Sequence, residues 1–260
     1  MATIYSPTRE DVERYRHLRR LVTELTQEIT SSVPARAWSE VGKALGILDS
    51  GAFDNKYVTN VLADCCIYDW FEDGKNLIQR FSETHPEQPG TDEHYVLDAY
   101  LRAAYRILVL KSAVPGAGIH CRDGRSQEEL FLMDLNFSRN TDFSNVALAA
   151  RLVPFGEYWI TTGAALPIIG RDDLEDSLRR LDQLASILPG NFWDPVRIVR
   201  VCLAAGAADL IFHDDTGMKP RNRRRSVERT VDPTDLCPCR SGLMYKYCCG
   251  RAISAPASGA

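Results

Sequence analysis

Apolar residues open the chain as a helical stripe. Val12, Tyr15, Leu18, Val22, Leu25 and Ile29 recur at spacings of three and four, which puts them on one face of a helix. Ser6-Pro7-Thr8 supplies a start, because a Ser or Thr oxygen accepts from the orphan first-turn amides, and residues 31–34 supply the end. A second helix is expected over 35–48, stopped by the turn Asp49-Ser50-Gly51. A third is expected over 57–71, broken at Asp73-Gly74, with Leu77 to Phe81 continuing helically. Thr91 opens another, with Asp92 and Glu93 in its first turn, where acids favour the helix dipole.

The period then changes. From about Arg106 the chain turns to short runs of β-branched and large apolar residues bounded by turn signals. Strands are expected at 106–114, 118–121, 129–134, 146–153 and 157–162, punctuated by Pro115-Gly116, Asp123-Gly124, Asn140-Thr141-Asp142 and Phe155-Gly156. Five short strands with tight connections predict a small antiparallel barrel or curled sheet. Helix returns after Gly170, with Leu174, Leu178, Leu181, Ala185 and Leu188 in register, and Asp194-Pro195 opens a last helix to about Phe212. Residues 213–235 are polar and basic with no apolar period, which reads as a linker.

The expected class is therefore α+β. A body over 1–212 consists of helices (about 7–104), a five-stranded antiparallel β unit (about 106–168) and two covering helices (about 171–212). A basic linker (213–235) follows, then a cysteine-rich knuckle (236–251).

Charge and cysteine usage sharpen this. The 260 residues carry a net charge of −4, but from Gly217 onward there are nine basic and three acidic residues, against 22 and 32 before it. An acidic body with a basic extension suggests an anionic partner for the latter. Met1 to Glu10 shows no basic-then-apolar leader pattern. The longest nearly apolar stretch, Val201 to Phe212, is interrupted by Asp209 and falls short of the roughly 18 residues a membrane span needs. A cytoplasmic location with no membrane partner is the expectation, and clustered cysteines there serve as metal ligands more often than as disulfides.

Four of the eight cysteines are clustered: Cys237-Pro238-Cys239, then Cys248-Cys249. Tetrahedral zinc takes four such ligands, and a Cys-x-Cys turn offers two thiolates from one loop, with Pro238 fixing φ. Ser241-Gly242 reverses the chain and the adjacent pair closes the site. So short a segment buries too little apolar surface to fold alone, whereas zinc binding supplies on the order of 10–16 kcal/mol. The stretch Cys-Pro-Cys-Arg-Ser-Gly-Leu-Met-Tyr-Lys-Tyr-Cys-Cys-Gly resembles the SEC-C motif, named after the C-terminus of the bacterial secretion motor SecA. The resemblance implies zinc held by Cys237, Cys239, Cys248 and Cys249. Pro238, Ser241, Gly242, Tyr245 and Lys246 match as well, while Arg240, Leu243, Met244 and Tyr247 depart from the pattern. With four thiolates the metal has no open position and is structural. The body is similar to an uncharacterised group of bacterial proteins that end in this motif. That likeness is carried by Tyr68-Asp69-Trp70-Phe71, Asp73-Gly74-Lys75, Phe81, residues 114–118, Asp134, Ser138 and Ala150-Arg151-Leu152, and it implies an architecture and no activity.

Other features are weighed beside plainer readings. Lys219, Arg221, Arg223, Arg224, Arg225 and Arg229 suit a nucleic-acid or ribosomal backbone through counterion release, or another acidic partner, or only a solvated linker. Cys65-Cys66 with His120-Cys121 could form a second metal site but reads better as core. Asp64, Asp69, Glu72 and Asp73 invite a metal-dependent hydrolase or nuclease, against a solvated helix end. His213-Asp214-Asp215 reads as a helix end. Asp134, Ser138 and Arg151 suggest an Arg-carboxylate tie at a barrel corner. Trp70, Trp159, Trp193 and Tyr158 could stack bases, though core is the commoner role. The leading expectation is a non-enzymatic zinc-binding adaptor whose basic linker and knuckle dock on a ribosome, nucleic acid or protein. The alternative is a hydrolase working through the body carboxylates.

Overall fold

A computed structural model describes residues 5–47, 56–139, 146–169, 194–204 and 207. The chain divides into two compact units, Met1–Cys202 and Leu203–Ala260. The elements below belong to the first, the last helix running into the second.

Helix α1 (Arg9–Ser31) starts where the sequence predicts. The Thr8 hydroxyl accepts from the Asp11 amide while the Asp11 carboxylate accepts from the Thr8 amide, a reciprocal capping box. Its predicted stripe is the buried face: Tyr15, Leu18, Val22 and Ile29. Helix α2 (Ala35–Leu45) ends at Gly46, whose φ of 73° lies in the left-handed region. Helix α3 (Lys56–Tyr68) is shorter than expected. Its apolar run continues into strand β1 (Phe71–Glu72), which turns back as β2 (Lys75–Asn76). The turn residues Asp73 and Gly74 both have positive φ, the geometry of a two-residue hairpin. Asn76 then caps α4 (Leu77–Thr84) by a second capping box with Gln79, and Thr91 caps α5 (Asp92–Leu101) through the His94 amide.

Six further strands follow: β3 (Ala104–Val114), β4 (Gly118–Asp123), β5 (Glu129–Met133), β6 (Val146–Phe155), β7 (Tyr158–Thr161) and β8 (Leu166–Ile169). The first five of these close a barrel in the order β3-β4-β5-β7-β6, with β6 pairing back onto β3. Strand β3 achieves the closure because it is long and bent. Residues 104–109 pair with β6 and 108–114 with β4, and the register shifts between Leu110 and Ser112.

Two features differ from the expected antiparallel five-stranded unit. Strand β7 hairpins back from β6 and must lie beside β5 to close the barrel, so β5 and β7 run parallel, with Leu132 opposite Trp159. The sheet is therefore mixed. A sixth strand, β8, pairs with the first half of β6, and its Pro167 is tolerated because it lies at an edge.

Leu108, Leu110, Ile119, Cys121, Leu130, Leu132, Leu148, Ala150 and Leu152 fill the barrel. Strand β6 is buried on both faces, which is why it reads as an unbroken apolar run: Ala147 to Val153 are all buried. One face meets the barrel interior, and α5 packs on the strand from outside. Helix α1 in turn packs on α3, α4 and α5. The last described helix, α6 (Pro195–Ala204), opens at Asp194 as expected and buries Ile198, Val199, Val201 and Cys202. The helix expected after Gly170 with the stripe Leu174 to Leu188, the linker and the knuckle lie outside the described residues.

Gly118 offers a direct test of the barrel wall. A Cβ there would sit 2.2 Å from the Leu132 carbonyl oxygen and 2.8 Å from the Phe131 ring. Gly118→Ala is expected to lower stability in urea by about 1–3 kcal/mol or more, as overpacking does. Wild-type stability in this variant would contradict the close approach of β4 and β5.

Candidate functional site

Arg151 is the one charged residue in the buried run of β6. It points from the barrel wall into the helical layer. Its Nε donates to Asp64 Oδ2 at 2.8 Å, and one terminal nitrogen donates to the Asp69 carboxylate. The Thr162 hydroxyl donates to the other Asp64 oxygen at 2.8 Å. The guanidinium also lies over the Tyr68 ring at 4.3 Å and within 5.4 Å of the Tyr105 ring. Side-chain exposure is 4% for Arg151, 5% for Asp64 and 13% for Asp69, so the cluster is a buried ion triad.

Two carboxylates share one cation here, and the charge does not balance. Burial raises Asp69 to about 7, against the pull of Arg151 and with further push from Asp64. Arg151 is held well above its ordinary value by the two acids, which outweigh its own burial. Burial likewise pushes up the thiols of Cys65 and Cys66 and the Tyr68 hydroxyl.

A cleft of about 500 Å³ opens beside this triad. Helices α1, α2 and α3, Tyr100 of α5 and the turn from β7 to β8 form its walls. Asp64, Thr162, Tyr68 and Tyr100 belong both to its lining and to the hydrogen-bonded or aromatic layer around Arg151. Gly163, at φ +99°, carries the turn along the wall where an L side chain would be strained.

The structure separates the residues that the sequence suggested for a carboxylate-metal centre. Asp64, Cys65 and Asp69 do lie together, their ligand atoms all within 4.8 Å, and they form the one group with metal-like spacing among the described residues. Arg151 is the cation in their midst. Glu72 pairs instead with Arg80, and Asp73 is an exposed turn residue. Cys121 faces the barrel interior, His120 packs edge-on against Phe131, and Cys65 and Cys66 are buried in α3, so the four do not converge.

The expected corner tie is made by other residues. Arg106 pairs with Asp123 at 3.1 Å and Glu128 at 2.8 Å, while Asp134 accepts from the Asn136 and Phe137 amides, and Ser138 accepts from Gly116. Nor do the aromatics form one stacking face. Trp70 is buried and donates to Glu40, Trp159 packs against the barrel core under Arg106, and Tyr158 stacks on Phe155. Trp193, His213 and the six basic linker residues lie outside the described residues, as do Cys237, Cys239, Cys248 and Cys249.

Sequence reasoning missed the triad, although its signal was present. Arg151 interrupts an apolar strand and Asp64 interrupts the apolar run Val61 to Ile67, and two lone charges of opposite sign in buried segments require each other.

The triad predicts an unusual pH dependence. The folded chain holds a proton on Asp69 that an unfolded aspartate, with a pKa of about 3.9, has released. The associated stability is present below the unfolded value and is lost as pH rises through about 7. Asp69→Asn is therefore expected to flatten the wild type's loss of stability between pH 5 and 8, a difference on the order of 1–4 kcal/mol by denaturant titration. Parallel pH profiles for the two proteins would contradict this.

Comparison with known proteins supplies the remaining context. Residues 234–251 match the SEC-C motif, which is of a zinc-binding type. The protein translocase subunit SecA of Symbiobacterium thermophilum (strain DSM 24528 / JCM 14929 / IAM 14863 / T) is 44% identical over 46 residues, or 18% of this chain and 5% of that protein. The chain thus spans a small fraction of that relative. No solved structure matches. Residues 9–179, from the first residue of α1 through all eight strands, match a family model described as a family of unknown function (DUF7986). The chain belongs to that family, DUF7986, and carries a SEC-C motif beyond the matched region.

Proposed function

We propose that the protein is a zinc-binding interaction protein whose basic linker docks on RNA, ribosomal RNA included. The matched SEC-C motif carries the reading, because it contains a complete set of four thiolate donors: Cys237, Cys239, Cys248 and Cys249. Four cysteines suit zinc, fill its tetrahedron and leave no position for a substrate or water. The metal's role is to hold a short segment folded, and these cysteines must be deprotonated to hold it. Immediately before the motif, Lys219, Arg221, Arg223, Arg224, Arg225 and Arg229 supply six cations within eleven residues. Arginine forks onto phosphate oxygens in two-point contact, so this composition favours a nucleic-acid backbone over a generic acidic surface.

The hydrolase alternative has less support. It needs free, convergent carboxylates. Asp64 and Asp69 are both engaged by Arg151, and Glu72 by Arg80.

Binding of the zinc-loaded chain to a single-stranded RNA should weaken with salt. If four to six cations engage phosphates, log K against log salt falls with a slope of roughly −3 to −4. Replacing Arg223, Arg224 and Arg225 with Gln should reduce the slope by roughly 2. A slope near zero, or one unchanged by the triple substitution, would refute RNA docking through the linker. Binding that is lost with Cys248→Ser and Cys249→Ser but indifferent to salt and nuclease would instead identify a protein partner.

A further inference from the structure

The cleft beside the triad has a chemistry of its own, separate from the zinc motif. Its volume, about 500 Å³, falls within the roughly 300–1,000 Å³ usual for small-molecule sites. Its walls are largely apolar, with Trp38, Ile67 and Ala164 among them, and Trp38 is half-buried. A half-buried indole at a cleft wall offers a flat face to a ring.

The polar groups define what that ring must carry. Each threonine hydroxyl has one proton. Thr26 donates to the Val22 carbonyl at 2.7 Å, Thr30 to the Thr26 carbonyl at 2.6 Å, and Thr162 to Asp64 at 2.8 Å. Their protons are committed to the protein, so toward the cleft the Thr30 and Thr162 oxygens act as acceptors; the Thr26 oxygen also meets the Tyr100 hydroxyl at 2.6 Å, and the Gln27 and Asn60 amides in the same lining both donate and accept. Among the described residues the lining contains no Lys, Arg or His, and its one charged group, Asp64, is paired with Arg151. A phosphate or carboxylate would enter without a counter-charge and against acceptor oxygens.

From this we infer that the cleft binds a neutral ring compound carrying several donor hydroxyl or amino groups, of monosaccharide or nucleoside size, seated against Trp38. Apolar walls receive the ring faces, the threonine oxygens receive its donors, and the absence of a cation selects against phosphorylated forms.

Isothermal titration of the full-length zinc-loaded protein tests this with adenosine, glucose and adenosine 5′-monophosphate, each taken to about 10 mM so that weak millimolar binding is visible. Saturable binding of adenosine or glucose is expected, and which of the two binds separates a nucleoside from a sugar site. Trp38→Ala should weaken binding at least about tenfold and Thr30→Val, which keeps shape and removes an acceptor, about threefold or more. The monophosphate should bind no tighter than adenosine. Circular dichroism checks each variant, and Trp38→Phe serves as the milder substitution if Trp38→Ala unfolds. No binding of either neutral compound, binding indifferent to both positions, or tighter binding of the monophosphate would each overturn the inference.

Discussion

A buried guanidinium ties the helical layer of this body to its barrel. Arg151 rises from a strand whose other face is barrel core, and it holds two carboxylates from α3 and the residue that follows it. Buried ion clusters of this kind are a weak source of net stability, because desolvation offsets most of the Coulomb attraction. Their consequence is specificity. Removing Arg151 would leave two buried carboxylates facing each other without a cation, so the contact between α3 and β6 depends on this one side chain. Thr162 extends the constraint to the turn after β7, and the tyrosine rings of residues 68 and 105 exclude water around it. The cleft is built on this fixed frame, since three of its lining residues belong to the cluster or touch it.

The cluster also bears on chemistry. Asp64 and Asp69 stand at a spacing that a divalent cation would accept, and the protein places its own cation there. That arrangement fills the most metal-like group among the described residues with the protein's own guanidinium. The body holds the cleft, and the SEC-C match at residues 234–251 supplies four cysteines in sequence, so the two features call for different ligand chemistry.

Much of the body was legible because its signals are local. The Thr8 cap, the α1 stripe and the turns at Pro115-Gly116 and Phe155-Gly156 are set by neighbours within four residues, and the first five barrel strands fall within a few residues of their expected bounds. What escaped was non-local or too short. Strand β8 is four residues containing a proline, and the β1–β2 hairpin is hidden where an apolar helix runs on into Trp70 and Phe71. The parallel pairing of β5 with β7 follows from barrel closure, which no local pattern encodes. Arg151 looked like a corner tie because its partners lie 82 and 87 residues away. The cleft draws on segments around residues 30, 60 and 163, which share no motif. The SEC-C match at residues 234–251 is the opposite case, since it is written entirely in local spacing.

The proposed metal is structural, in a protein proposed to work by binding. Zinc-edge X-ray absorption on the purified full-length protein tests it most directly. The account predicts a first shell of four sulfurs at about 2.3 Å and no oxygen or nitrogen. A shell with an open position filled by water, or with carboxylate oxygen at about 2.0–2.2 Å, would contradict it and return the carboxylates to the centre of the search.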